Sequence, residues 1–389
     1  MKDTQVIVVG AGIGGLAAAL GLARAGQRVT VLEQAAELGE VGAGLSITPN
    51  AGKALIALGL GDQLDRIGSR PPAGAMRHYA SGDILVRLAQ DHTDKTYGVP
   101  LYHMHRADLH GALLARLCDL QPAAVRVGAA VARIEQRSGG IDATLANGES
   151  VSGDWLVGAD GIHSVVRTAL FGHDAPHFTG FVAFRGLVPA ADAPAALFDP
   201  PLCMTMGPGR LLMRYPLRNR TLINFVALAH RSAWMEEGWS VRAELAELLA
   251  EFADFEPLSR QLLALTPRDR LFKWGLFDRD PLPTWTRGRA TLLGDAAHAM
   301  PPFTGQGAVM ALEDGAILGR CAALAASPDE AMQRYQQARH ARVVAALAMS
   351  RARSEVYFAP DPAGQVKALA AGMAELRTLY TYDAGAVPV

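Results

Sequence analysis

Two kinds of apolar pattern alternate along the chain. Unbroken β-branched runs, "QVIVV" at Gln5–Val9 and "RVTVLE" ending at Glu33, predict buried strands of a parallel sheet. Between them "LAAALGLARAG" has the alanine and leucine content of a buried helix. The stretch from Val6 to Ala23 carries no charge over 18 residues, long enough to suggest a membrane span or a secretory leader. Gly10, Gly12, Gly14, Gly15 and Gly21 would weaken a spanning helix, so strand, turn and helix are expected instead. A loop then leads to a helix beginning near Pro49–Asn50, and leucines at helical spacing in "HMHRADLHGALLARL" predict another. "SVSGDWLVGADG" reads as one strand followed by a helix. From Thr179 to about Trp274 the pattern changes to short runs, "GFVAFRGLVP", "RLLMRYPL" and "RTLINFVALA", which predict a mostly antiparallel sheet. A helix, "VRAELAELLAEFA", follows. A buried strand returns at Ala290–Leu293, then a second glycine-rich turn and the helix "AVMALEDGAILGRCAALAA".

Composition narrows the reading without deciding it. The chain has 389 residues, half of them hydrophobic, enough for two interlocked domains. A net charge of -1, with both signs mixed throughout, offers no face for nucleic acid or an anionic membrane. Neither partner is expected. Cys118, Cys203 and Cys321 lie far apart, as reduced thiols of a cytoplasmic protein would.

The first glycine-rich turn carries specific chemistry. Gly10-x-Gly12-x-x-Gly15 follows a strand and opens a helix, and Glu33 ends the next strand. Glycines there permit a tight turn, a close approach to a pyrophosphate and close helix–strand packing, while Glu33 would accept from ribose hydroxyls. The pattern does not separate NAD from FAD. The second turn does: the strand ending at Gly294-Asp295 turns through two prolines to Gly305-Gln306-Gly307, where a helix starts. A second acid at a strand end suits a ribityl chain, and a second helix N-terminus suits the anionic side of a reduced flavin. FAD needs both. Gly42 and Gly44 leave room for a flat group near the backbone, and Arg106, at a helix start, is placed to reach a pyrophosphate. Asp160-Gly161 sits at the carboxyl end of a predicted parallel strand, where ligands of such sheets bind. Arg167, in the following helix, reads either as a ligand contact or as part of a solvated face. His103, His105 and His110 lack a complete ligand set, so structural or solvent-facing roles are favoured and no metal is expected. In the sheet region Tyr215, Arg185, Arg214 and Met204 are candidates to face a substrate.

The set "GAGIGGLAAALGLARAG", "VLEQ", "GAGLSITPNA", "GADGIHSVVR", "RYPLR" and "LLGDAAHAMPPFTGQGAVMALEDG" closely resembles the single-component FAD-dependent aromatic hydroxylases. Within them the chain is most similar to the salicylate, 3-hydroxybenzoate and hydroxynicotinate hydroxylases. The resemblance implies an α/β fold: a Rossmann-type FAD-binding domain interleaved with a β-sheet substrate domain, and a C-terminal helical segment around Ala363 to Leu379. The expected parts are 1–70, 101–176 and 276–350 for the FAD domain, 71–100 and 177–275 for the substrate sheet, and 351–389 for the helical segment. Its implied cofactor contacts at the first turn are Gly10, Gly12, Ile13, Gly14, Gly15, Glu33 and Gln34. In mid-chain they are Gly44, Leu45, Arg106, Val131, Asp160 and Gly161, and at the second turn Asp295, Gly305, Gly307 and Ala308. NADH or NADPH would reduce FAD, and the reduced flavin would react with O2 to a C4a-hydroperoxide that attacks the ring of a small aromatic substrate. Tyr215 would bond the substrate hydroxyl, Arg185 or Arg214 would pair with a carboxylate, and Phe303 would pack beside the ring. A monomer or homodimer is expected. Many relatives of this kind have histidine four residues before the tyrosine, where this chain has Leu211, and asparagine after "GQGA", where it has Val309. A dedicated phenol base is therefore not expected, and an N-heteroaromatic ring stands beside a hydroxybenzoate as substrate. A flavin dehydrogenase or oxidase is a further alternative, and a redox sensor without turnover another.

Overall fold

Val6, Ile7, Val8 and Val9 have no polar side to offer water, and the computed structural model buries their strand within a six-stranded sheet. The structure describes residues 3–39, 43–89, 93–234 and 241–389. The sheet runs in the order Thr286–Arg287, Ala290–Leu292, Trp155–Gly158, Gln5–Val9, Arg28–Leu32, Val125–Arg126. All its pairs are parallel except the short hairpin at the first edge. The crossover from Gln5–Val9 to Arg28–Leu32 is the helix Ile13–Arg24, so the uncharged run is strand, turn and helix. Among the described residues no helix is long and apolar enough to cross a membrane.

The second large sheet has eight strands in the order Val241–Arg242, Leu271–Asp278, His177–Pro189, Leu222–His230, Arg210–Leu217, Leu202–Gly207, Ala73–His78, Ile84–Ala89. It is antiparallel except where Leu202–Gly207 meets Ala73–His78. A three-stranded sheet, Gly44–Ile47, Tyr102–His105 and Gly68–Ser69, lies at the junction of the two.

Several sequence expectations shift. "SVSGDWLVG" is two strands, Ser150–Gly153 and Trp155–Gly158, which belong to different sheets. The break is Asp154, whose carboxylate accepts from the Gln5 amide at 2.7 Å and so turns the chain. The helix expected from Val241 starts only at Leu245, because Val241 and Arg242 pair with Lys273 and Phe272 as an edge strand. The junctions expected at 275/276 and 350/351 fall inside the strand Leu271–Asp278 and the 30-residue helix Pro328–Tyr357. Gly42 lies outside the described residues.

The helix Ile13–Arg24 and the helix Gly307–Leu324 pack side by side at bare backbone. A side chain at Gly21 would strike the Gly315 carbonyl, and Gly319 meets the Gly21 backbone in the same way. This contact brings two glycine-rich turns about 280 residues apart to one crevice.

Candidate active site

That crevice is a cavity of about 300 Å³ between the two large sheets. One end is backbone. Gly12, Ile13 and Gly14 of the first turn line it, with Gly44 and Leu45, Arg106, Gly161, Asp295, and Gly305, Gly307 and Ala308 of the second. Gly12, Gly161 and Gly305 have no heavy atom within 4 Å of the place a Cβ would occupy, so open space stands above each. The N-termini of the two long helices, at Ile13 and Gly307, both open here, which gives this end a positive field and free N–H donors.

The turn is held from below. Glu33 caps the strand end by accepting from the Ala11 and Ala35 amides at 2.8 and 2.9 Å. Each of its two carboxylate oxygens thus takes one backbone amide of the turn region. Gly10 and Gly15 do not line the cavity: they meet each other beneath the turn, where a side chain at Gly15 would strike the Gly10 carbonyl. Gln34 follows Glu33 on the exposed surface, and Val131 starts the strand Val131–Arg137 of a side sheet, away from the cavity. Asp160 lies between the lining residues Ala159 and Gly161, but its side chain turns inward. It accepts from Ser164 Oγ at 2.5 Å and from the Val166 amide at 3.1 Å, so it braces the start of its own helix. Burial raises its carboxyl, against those two hydrogen bonds. Arg167 is neither a ligand contact nor a solvated face. It is buried, pairs with Asp174 at 2.6 Å and donates to the Ala296 and Ala297 carbonyls, fixing the turn that carries Asp295.

The other end of the cavity is the inner face of the eight-stranded sheet. Leu211, Met213 and Tyr215 alternate inward along one strand, opposite Val226 and Leu228, with Met204, Trp274 and Phe303 around them. Arg185 also faces in, its guanidinium 4.6 Å from the Trp274 ring centre. Arg214 does not. One residue from Tyr215, it points to the opposite face and donates to the Leu197 and Pro200 carbonyls. It is withdrawn as a substrate contact by strand parity alone. Tyr215 is buried, with its ring against His103 at 4.1 Å between centres. Burial pushes its phenol above the ordinary range, although the Arg185 charge opposes that, so the hydroxyl stays protonated as a donor. His103 is likewise buried and its imidazole is pushed down to about 3, so it is neutral. His105 accepts from the Ala107 amide at its helix start, and His110 bonds the Ala11 carbonyl at 2.7 Å.

A buried ionic cluster stands behind the second turn. Arg339 pairs with Glu313 at 2.6 Å and Asp314 at 2.7 Å, Arg342 with Glu313 at 2.8 Å, and His298 with Asp314 at 2.7 Å. Burial would raise the Asp314 carboxyl, but His298 and Arg339 hold it below the usual range. Asp314 also accepts from the Gly294 amide, next to Asp295.

A family model described as FAD binding domain matches residues 3–350. The chain belongs to that family. The 3-amino-4-hydroxybenzoate 2-monooxygenase PtmB3 of Streptomyces platensis is 38% identical over 92% of this chain and 89% of that protein. The 3-hydroxybenzoate 6-hydroxylase 1 of Aquipseudomonas alcaligenes is 36% identical over 93% and 92%. Among solved structures, Klebsiella pneumoniae HpxO complexed with FAD and uric acid superposes with a TM-score of 0.84 at 28% identity, covering 97% of this chain and 93% of that one. The chain is thus an FAD-dependent monooxygenase.

The residues present fit FAD. The open space over Gly12 and Gly161, the two helix N-termini and the Asp295 carboxylate form the cradle that a pyrophosphate, a ribityl chain and a flat ring require. In this FAD-binding monooxygenase, sequence reasoning missed Trp274, Met213, Val226 and Leu228. The period of two in "RLLMRYPL" carried part of the signal, since placing Tyr215 inward also places Leu211 and Met213 inward and Arg214 outward.

Proposed function

We propose that the protein uses NADH or NADPH and O2 to hydroxylate a small hydroxybenzoate-like acid. The observation that carries this reading is one cation and one phenol in an otherwise apolar chamber beside the flavin cradle. Among the described residues lining the sheet end, Arg185 and Tyr215 are the ionisable ones. Arg185 supplies the charge to hold a carboxylate, and Tyr215 the O–H to bond a ring oxygen. Leu211, Met204 and Phe303 pack the ring and exclude water, which protects a reactive oxygen species from decay. Bound FAD supplies hydride acceptance and oxygen activation. With no carboxylate or imidazole among the described residues that line this end, the ring must bring its own electron donor, a hydroxyl or an amino group. The curated relatives support this, since the two named above act on a hydroxybenzoate and an aminohydroxybenzoate. The same lack of a base, with a structural neighbour that binds uric acid, supports an N-heteroaromatic ring as the second reading.

The test is binding to the FAD-loaded protein, read from the shift of the flavin absorbance. 3-Hydroxybenzoate, 3-amino-4-hydroxybenzoate and 6-hydroxynicotinate are compared with the matching carboxamides and with urate. Tighter binding of an acid than of its carboxamide, lost in Arg185→Gln, is the expected result. Equal binding of acid and amide overturns the carboxylate, and binding of urate alone selects the second reading.

A further inference from the structure

Asn224 is an unusual residue for its place. It sits within "LINFVALA", in the middle of a strand of the substrate sheet, and is fully buried. Its Oδ1 accepts from the Gly44 amide at 2.7 Å, while its Nδ2, equally buried, has no partner. An orphaned buried donor carries a desolvation cost that leucine at this position would not. The hydrogen bond crosses from the substrate sheet to a segment that lines the cavity at Gly44, Leu45 and Ser46. Register places Asn224 directly opposite Tyr215, and the Tyr215 ring closes over the same glycine. A Cβ on Gly44 would lie 2.5 Å from the tyrosine Cε2 and 2.6 Å from its hydroxyl. One strand pair therefore holds residue 44 at two points, the side of the backbone by Tyr215 and the N–H by Asn224.

We propose that Asn224 is a positioning residue, which fixes the Gly44–Ser46 edge of the cavity against Tyr215, where that edge would border a bound flavin. The width of the cavity at this edge then depends on one amide oxygen. Removing that oxygen lets the edge drift, which loosens the flavin and misplaces the ring.

Three variants separate this role from plain packing. Asn224→Leu and Asn224→Ala remove the acceptor with opposite changes of bulk, and Asn224→Asp keeps an oxygen in the same place. FAD dissociation is read from the rise in flavin fluorescence on diluting the holoenzyme, a measurement that needs no substrate. Its outcome is thus independent of the substrate reading above. The expected order is tight retention in wild type and Asn224→Asp, and about tenfold weaker retention in both Asn224→Leu and Asn224→Ala, the loss of one hydrogen bond. With a ring acid that turns over, the same two variants release a larger share of reducing equivalents as peroxide. Retention that follows side-chain bulk instead of the presence of an oxygen overturns the proposal. So does a lowered melting temperature in both with FAD retention unchanged.

Discussion

Tyr215 shows how burial assigns a chemical role to a side chain. Its phenol is pushed up by burial, so it donates a hydrogen bond and does not act as a base across the working pH range. Tyr215→Phe removes the donor and keeps the packing against His103. Steady-state kinetics are expected to show kcat/KM for a hydroxylated ring acid falling about 10- to 100-fold, with FAD still bound. Its neighbour His103 makes a prediction of the opposite kind. Unfolded, His103 takes a proton near its ordinary 6.5, but folded only near 3. Between those values the unfolded chain binds more protons, so this residue makes the protein less stable as pH falls through the window. His103→Phe removes that contribution. Urea unfolding at pH 7, 6 and 5 is expected to show the variant gaining on wild type by up to about 1.4 kcal/mol per unit below 6.5. A constant difference would show that the imidazole is not buried neutral.

At the scale of elements, the site depends on two helices whose N-termini reach the same crevice. The Gly21, Gly315 and Gly319 contact sets their spacing. Gly21→Ala forces the helices apart and is expected to destabilise by about 1–3 kcal/mol, with weaker FAD retention in the same preparation. The ionic cluster sets the second turn from behind. Arg339→Met leaves two fully buried carboxylates each short of a partner, Glu313 with Arg342 alone and Asp314 with His298 alone. A loss of about 3–5 kcal/mol in chemical unfolding is expected, larger than for an exposed pair such as Arg126–Glu149. Much of this was open to a reader of the sequence. Glycine-rich turns after β-branched runs impose their geometry locally, so Gly12, Gly14, Asp295 and Gly307 were legible as one site. Arg185 and Arg214 were not separable, because parity needs one residue of known direction. Asn224 was hidden for another reason: its partner, the Gly44 amide, is a backbone group 180 residues away. Asp160 misled because a strand-end acid serves a ligand or its own helix equally well, and here Ser164 and Val166 take it.

For the whole molecule, function requires that two sheets enclose one small volume. The FAD cradle belongs to one, the ring chamber to the other, and Gly44 to the narrow sheet between them. Cofactor binding should therefore stabilise the entire chain by mass action, by about 2.7 kcal/mol with FAD at 100 times its dissociation constant. Thermal melting is expected to rise with the logarithm of added FAD. A monooxygenase and an oxidase differ in the fate of oxygen. The deciding measurement is product mass after turnover of the FAD-loaded protein with NADH or NADPH under 18O2, using the ring acid that most shifts the flavin spectrum. One 18O atom in the ring product, with one reduced nicotinamide consumed per product, is the result expected of a monooxygenase. Nicotinamide oxidation that the acid accelerates, with all of the label in peroxide and none in the ring, would contradict the account and make the protein an oxidase.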